Sequence, residues 1–456
     1  MPNIKDTIVS QRNFFSTHQT KDIEVRIQNL EALRHAIHLY EEKLYEALFK
    51  DLHKSAFESY ATEIGIVLNE ITYHINNLKN WLMEKKVSTP LIQLLSWSYI
   101  VPEPYGVVLI MAPWNYPFQL LMMPLIGAIS AGNCVVLKPG ELSRHTAAVI
   151  ADMIGETFDS QYISIFSGGK ETNQELLNEK FDFIFFTGSS GLGRLVMMEA
   201  AKHLTPVCLE LGGKSPCIVD LDANLDLASK RVAWGKYLNA GQTCVAPDYL
   251  MVHDSVKDTL LHKIKACIQK FYSENPKETP DYCRIINEVH FNRLIRLMES
   301  GQIIFGGEND SKDFYISPTI IDHVPPDSPI MQEEIFGPIL PIMTFYELYE
   351  AIQFVNDHPK PLALYYFSSD EAKQKEIIKK TSSGGVVIND TIVHLINPNL
   401  PFGGVGNSGI GSYHGKYSFD IFSHHKSILK KSTLVDLPIR YAPFKNKLSF
   451  IKRLMK

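Results

Sequence analysis

No Cys-x-x-Cys pair and no His-Glu-x-x-His occurs anywhere in the 456 residues. The six cysteines, Cys134, Cys208, Cys217, Cys244, Cys267 and Cys283, stand far apart. That spacing excludes a zinc ribbon and argues against a disulfide framework. A basic excess is also missing: the formal net charge is -5, which excludes a nucleic-acid-coating protein. The longest greasy stretch, 117–132, is broken by Gln119 and Pro124 and is too short to span a membrane, so it predicts a buried helix. The opening Met1-Pro2-Asn3-Ile4-Lys5-Asp6 lacks the apolar core of a secretory signal. Ser/Gly linkers, low-complexity tracts and internal repeats are absent too. What remains is 45% hydrophobic and 21% charged residues, the composition of a globular protein with a large core. The expectation is a reduced, cytoplasmic enzyme of two to four units, at about 150 residues per unit.

Up to Leu82 the pattern is helical. Ile27, Leu30, Leu33, Ile37, Leu44 and Leu48 recur at the spacing of one buried helix face, and Val67, Ile71, Ile75, Leu78 and Leu82 make a second stripe. From Tyr105 onward, short β-branched runs alternate with helical patterns. The predicted strands are 106–111, 133–138, 162–166, 183–187 and 206–210. Their starts lie about twenty to thirty residues apart, room for one crossover helix each. This rhythm predicts an α/β fold, a Rossmann-type parallel sheet with helices on both faces that binds a dinucleotide at its strand ends. A second α/β segment runs from 212 to 400. Segments 96–104 and 425–437 read either as paired arm strands or as surface loop.

Phe185-Phe186-Thr187-Gly188-Ser189-Ser190-Gly191-Leu192-Gly193 is an apolar strand turning through glycines into a helix. Such a turn lets the backbone approach a phosphate beside free N–H groups. The glycine spacing is not the usual dinucleotide fingerprint, so read alone it favours an ordinary strand–helix turn. Lys138-Pro139-Gly140-Glu141 ends an earlier strand with a cation and an acid that can accept from ribose hydroxyls, or can simply be a surface charge pair. Asn239-Ala240-Gly241-Gln242-Thr243-Cys244 presents a thiol after small and polar residues. Most cysteines are inert, and Cys244 is singled out by its company. Glu210, at the end of an apolar strand before Gly212 and Gly213, suits a general base, and the Asn115 amide suits an oxyanion donor.

These blocks together resemble the aldehyde dehydrogenase superfamily over essentially the whole chain, and most of all its class 3 group. The matches are Pro-Trp-Asn-Tyr-Pro at 113–117, Lys-Pro-Gly-Glu at 138–141 and Phe-Thr-Gly-Ser at 186–189. Others are Leu-Glu-Leu-Gly-Gly-Lys at 209–214, Gly-Gln-Thr-Cys at 241–244 and Glu-Glu-Ile-Phe-Gly-Pro at 333–338. Leu400-Pro401-Phe402-Gly403-Gly404-Val405-Gly406 followed by Tyr413-His414-Gly415-Lys416 points to class 3.

The resemblance implies NAD(P)-dependent oxidation of an apolar aldehyde to its acid, with Cys244 as nucleophile, Asn115 and the Cys244 N–H holding the oxyanion, and Glu210 activating water. It places Glu334 on the nicotinamide ribose, Phe336 near the nicotinamide ring, Lys138 and Glu141 around the adenosine ribose, and Gly188, Ser189 and Gly193 at the pyrophosphate turn. NAD is the expected cofactor, with NADP open, and no metal is expected. The implied organisation is a cofactor domain (1–95 and 105–211), a catalytic domain (212–400) and an oligomerisation arm (96–104 and 425–437) serving a homodimer.

Two rival readings fit these residues less well. A CoA-acylating dehydrogenase has no need of Glu210, and a retired enzyme kept as a binding protein would have lost part of the Cys–Glu–Asn set. Finally, Phe444, Leu448, Ile451 and Met455 fall on one face of a helix whose other faces carry Lys445, Lys447, Lys452, Arg453 and Lys456. A basic amphipathic tail over 438–456 either touches an anionic membrane surface or covers the enzyme's own substrate tunnel.

Overall fold

A computed structural model describes residues 3–93 and 95–455. Each of the five apolar runs is a strand within one residue of its expected bounds: Val107–Met111, Cys134–Lys138, Ile163–Ile165, Phe183–Gly188 and Val207–Leu211. Val107–Met111 and Cys134–Lys138 are buried along their whole length, which is why they read as unbroken apolar runs rather than as an alternation. In space the sheet runs Gly409–Ile410, Val207–Leu211, Phe183–Gly188, Val107–Met111, Cys134–Lys138, Ile163–Ile165. All neighbours are parallel except the short edge strand Gly409–Ile410. The chain fills one side from Val107–Met111 and then crosses to the other. The switch point therefore lies between Val107–Met111 and Phe183–Gly188, where a parallel sheet opens a ligand crevice.

Both predicted stripes are helices. Ile23–Leu52 starts at Asp22, whose carboxylate accepts from the N–H groups of Glu24 and Val25, and it buries Leu30, Leu33, Ile37, Leu44 and Leu48. Gly65–Trp81 buries Val67, Ile71 and Leu78. Between them a short helix, Ala56–Ser59, passes into one π-turn, Tyr60–Ile64. The greasy stretch forms the helix Gln119–Ala131, buried at every position. Among the described residues no helix is long and apolar enough to cross a membrane.

A second sheet orders Gln302–Phe305, Thr319–Asp322, Ile339–Phe345, Tyr249–His253, Pro216–Val219, Ala363–Phe367 and Gly385–Ile388. Residues 401–424, outside every expected unit, return to the first sheet: Gly409–Ile410 pairs with Val207–Leu211. The helix Lys416–Ile421 also lies on Gln119–Ala131, where a Cβ on Gly127 would sit 2.8 Å from Ser418.

The two arm segments do pair, antiparallel, from Ser96↔Lys431 to Pro104↔Ser423. The second strand is Ser423–Lys431 rather than 425–437, because its partner ends at Ser96 and the chain turns away through Leu95 in a left-handed conformation. The tail helix is shorter than expected, Leu448–Leu454, and Phe444 precedes it. Phe444, Leu448 and Met455 are exposed, whereas Ile451 is half-buried. Lys456 lies outside the described residues.

Candidate active site

The loop after the central strand Val107–Met111 carries Asn115, almost wholly buried. Its side-chain amide donates to the Gln242 carbonyl at 3.0 Å. Its own carbonyl accepts from Asn239 Nδ2 at 2.9 Å and from Lys54 Nζ at 3.3 Å. Lys54 is paired with Glu63 at 2.5 Å, and the other Glu63 oxygen accepts from the N–H groups of Phe118 (2.8 Å) and Gln119 (3.2 Å).

The segment before Cys244 leaves the helix Leu225–Tyr237 through three left-handed residues, Asn239, Ala240 and Gly241, with φ of 52°, 50° and 74°. Gly241 is obligatory there, since a Cβ would meet the Gly337 carbonyl at 2.3 Å. Strain of this kind persists only where neighbours over-determine it. Here the Gln242 side chain bonds the carbonyls of Asn239 and Arg284 and accepts from Ile286 N–H. Glu58 accepts from Asn239 N–H at 2.9 Å, and Tyr116 OH meets Thr243 Oγ1 at 2.7 Å. Burial pushes the Cys244 thiol up to about 12, the Glu334 and Glu210 carboxylates push it the same way, and the N–H groups of Cys244 and Val245 pull it down.

Two cavities meet at Cys244. The smaller, about 380 Å³, lies at the switch point and is lined by Asn115, Gly188, Ser189, Glu210, Glu334 and Phe336 among others. Glu210 is buried with a pKa raised well above the carboxylate range by desolvation; Cys208 Sγ donates to its Oε1 at 3.8 Å, and its Oε2 has no protein partner. Glu334 is raised to about 8 by burial, then by Asp248, and its Oε1 is likewise unpartnered. The segment bearing Glu334 is clamped by Lys214, which pairs with Asp248 and donates to the carbonyls of Ile330 and Glu333. Phe336, itself left-handed, stands edge-on to Trp114 at 5.4 Å between centroids.

A dinucleotide fits this donor set. Ser189 caps the helix Ser190–Ala201, and a Cβ on Gly191 in its first turn would meet nothing within 4 Å. Gly193 lies deeper, where a Cβ would be 2.6 Å from Leu211, so its role is to let that helix close onto the strand. The unpartnered buried oxygens of Thr187, Glu210 and Glu334 all belong to residues of this cavity. Lys138 and Glu141 are not in its lining. Lys138 is buried with Nζ donating to the Pro139 carbonyl at 2.8 Å, and Glu141 is exposed beside Gly169, where a Cβ would sit 3.2 Å from its Oε2.

The larger cavity, about 720 Å³, is lined by apolar groups including Phe57, Ile66, Leu120, Trp234 and Phe271. Phe57 is 82% and Ile396 59% exposed, an apolar rim open to solvent. Tyr116 lines this cavity as well. Trp114 lines the other cavity, and Tyr60 lines neither. No described tail residue lines either cavity.

Sequence reasoning missed Lys54, Glu58, Glu63 and the bonding role of Asn239. One signal existed: Glu63 lies four residues before Val67, a carboxylate on the backward extension of a buried stripe.

The model of the aldehyde dehydrogenase family matches residues 3–428. The 4,4'-diaponeurosporen-aldehyde dehydrogenase of Staphylococcus aureus (strain NCTC 8325 / PS 47) is 52% identical over 455 residues, 99% of each chain. A dimeric NADP-preferring aldehyde dehydrogenase of Canis lupus familiaris is 48% identical over 446 residues, 97% of this chain and 98% of that one. Among solved structures, the substrate-bound state of Staphylococcus aureus AldH superposes with a TM-score of 0.98 at 51% identity, covering 100% of both chains.

Proposed function

The chain belongs to the aldehyde dehydrogenase family and carries out NAD(P)-dependent oxidation of an aldehyde to its acid, and on that premise we propose which of its residues do so and on what substrates. Cys244 gives up its thiol proton to solvent and attacks the aldehyde carbon as the thiolate. The alkoxide that forms is held by the second N–H of the Asn115 amide and by the Cys244 N–H. Bound NAD(P) supplies the hydride acceptor. Loss of hydride from the tetrahedral carbon leaves an acyl thioester on Cys244. Glu210 then takes a proton from water, the hydroxide adds to the acyl carbon, and the acid leaves as the thiol is restored. The single observation that carries this reading is that Cys244 stands where the two cavities join, with Asn115 and Glu210 lining the cofactor side. Because Glu210 serves water, transfer to CoA is the less favoured chemistry.

Glu334 accepts from the nicotinamide ribose, Phe336 packs near that ring, and Ser189 with Gly188 faces the pyrophosphate. At the adenosine end Lys138 and Glu141 flank the ribose. Glu141 accepts hydroxyls best, which favours NAD, and its exposure lets it swing from a 2′-phosphate, which admits NADP. The substrate is a long or bulky apolar aldehyde. Supporting this are the apolar cavity, its exposed rim, and a relative named for 4,4'-diaponeurosporen-aldehyde. A homodimer through the Ser96–Pro104 and Ser423–Lys431 arm is consistent with a relative named dimeric. The basic tail, with its exposed apolar side chains, would lie against an anionic lipid surface and bring the enzyme to such substrates.

The test is a panel of aldehydes of graded chain length, followed at 340 nm with NAD and without CoA. Specificity should rise with apolar length. Strict dependence on CoA, or preference for small polar aldehydes, would contradict the proposal.

A further inference from the structure

Lys54 and Glu63 are both fully buried, joined at 2.5 Å, and belong to neither cavity lining. A buried ion pair is weak evidence of stabilisation, because desolvation consumes most of its attraction and an apolar pair of similar volume often serves as well. Its geometry offers a better reason. Lys54 Nζ reaches the Asn115 carbonyl at 3.3 Å and stands 4.2 Å from the centroid of the Tyr116 ring. Glu63 accepts from the N–H groups of Phe118 and Gln119. One pair thus holds the loop before and after the turn into the helix Gln119–Ala131. The π-turn Tyr60–Ile64, a feature found preferentially at functional sites, contains Glu63. The second donor to the Asn115 carbonyl, Asn239 Nδ2, sits on a residue whose N–H is taken by Glu58, from the same helical segment.

We propose that the Lys54–Glu63 pair positions Asn115, fixing its main chain so that the side-chain amide is aimed at the developing oxyanion before substrate arrives. The proposal rests on the reading of Asn115 as the oxyanion donor. Lys54 and Glu63 touch no reacting atom and act only through Asn115. Preorganised donors need no reorganisation at the moment of reaction, and a small misplacement of one lowers the rate steeply.

The test is a double-mutant cycle on the pre-steady-state burst of hydride transfer at 340 nm. Lys54→Met combined with Glu63→Gln removes both charges together, so no lone charge is left buried, and keeps an acceptor for the Phe118 N–H. Lys54→Leu combined with Glu63→Gln, again with no lone charge left buried, is the second variant if the first folds poorly. The expected result is a burst slowed on the order of 10-fold to 100-fold, with NAD affinity little changed. In an Asn115→Ala background the same substitutions should slow the burst no further. Equal slowing in both backgrounds, or a lowered Tm with an unchanged burst, would overturn the positioning role. If Asn115→Ala alone leaves the burst intact, the oxyanion reading fails and takes this proposal with it, an outcome the cycle separates from the first.

Discussion

The side-chain amide of Asn115 donates to the main-chain carbonyl of Gln242 at 3.0 Å, across 127 residues of sequence. That carbonyl lies just ahead of Thr243 and Cys244, so the bond sets the loop after the central strand in register with the loop that bears the thiol. An amide has two N–H groups. One is committed to Gln242, and the other is left for an oxygen on the acceptor carbon.

Asn115→Ala should lower kcat on the order of 10²–10³, the usual loss for one oxyanion donor. The nucleophile loop should survive, because the Gln242 carbonyl keeps a second donor, Asn239 Nδ2 at 3.1 Å. Steady-state rates beside a fluorescence titration of NAD make the check. A variant that loses Tm but keeps kcat would make Asn115 structural.

In the free enzyme the Cys244 thiol is pushed up to about 12, and alkylation needs the thiolate. Iodoacetamide labelling of Cys244, located by peptide mass, should therefore rise about tenfold per pH unit up to pH 8 and less steeply from there to pH 9, without a plateau. Glu334 is held at about 8, so its carboxylate opposes the thiolate only above that pH. Glu334→Gln should accelerate labelling above pH 8 and change little below it. A plateau near neutrality would contradict this account of the thiol.

Parallel strands were legible in the sequence because burial on both faces writes them as apolar runs, and Val107–Met111 and Cys134–Lys138 moved by a single residue. Cys244, Glu210 and Asn115 were legible through motif company. Lys54 and Glu58 were not, and Glu63 showed only through its place four residues before Val67. Charges in a helical segment read as a solvated face, the π-turn at Tyr60–Ile64 breaks the helical period, and the contact from Lys54 to Asn115 crosses 61 residues. The second arm strand ran past its true end because polar edge-strand sequence looks like surface loop, and only its partner's length stops it at Lys431.

Truncation after Pro443 tests the tail. Phe444, Leu448, Phe450 and Met455 are exposed beside Lys445, Lys447, Lys452 and Arg453, a combination that favours an anionic interface. The full chain should sediment with anionic liposomes at low salt. The truncated chain should not, while keeping its activity on short aldehydes. A full chain that ignores such liposomes would contradict the membrane reading, and a shift of chain-length preference on truncation would place the tail at the substrate cavity instead.

The most direct test of the central claim is to trap the thioester. In Glu210→Gln the base for water is gone while Cys244 and Asn115 remain, so NAD and an apolar aldehyde should give a stoichiometric burst of NADH followed by a slow steady state. Intact-mass spectrometry during that slow phase should show one added acyl group, and peptide mapping should place it on Cys244. A burst and steady state slowed equally, with no acyl adduct on Cys244, would contradict the covalent route.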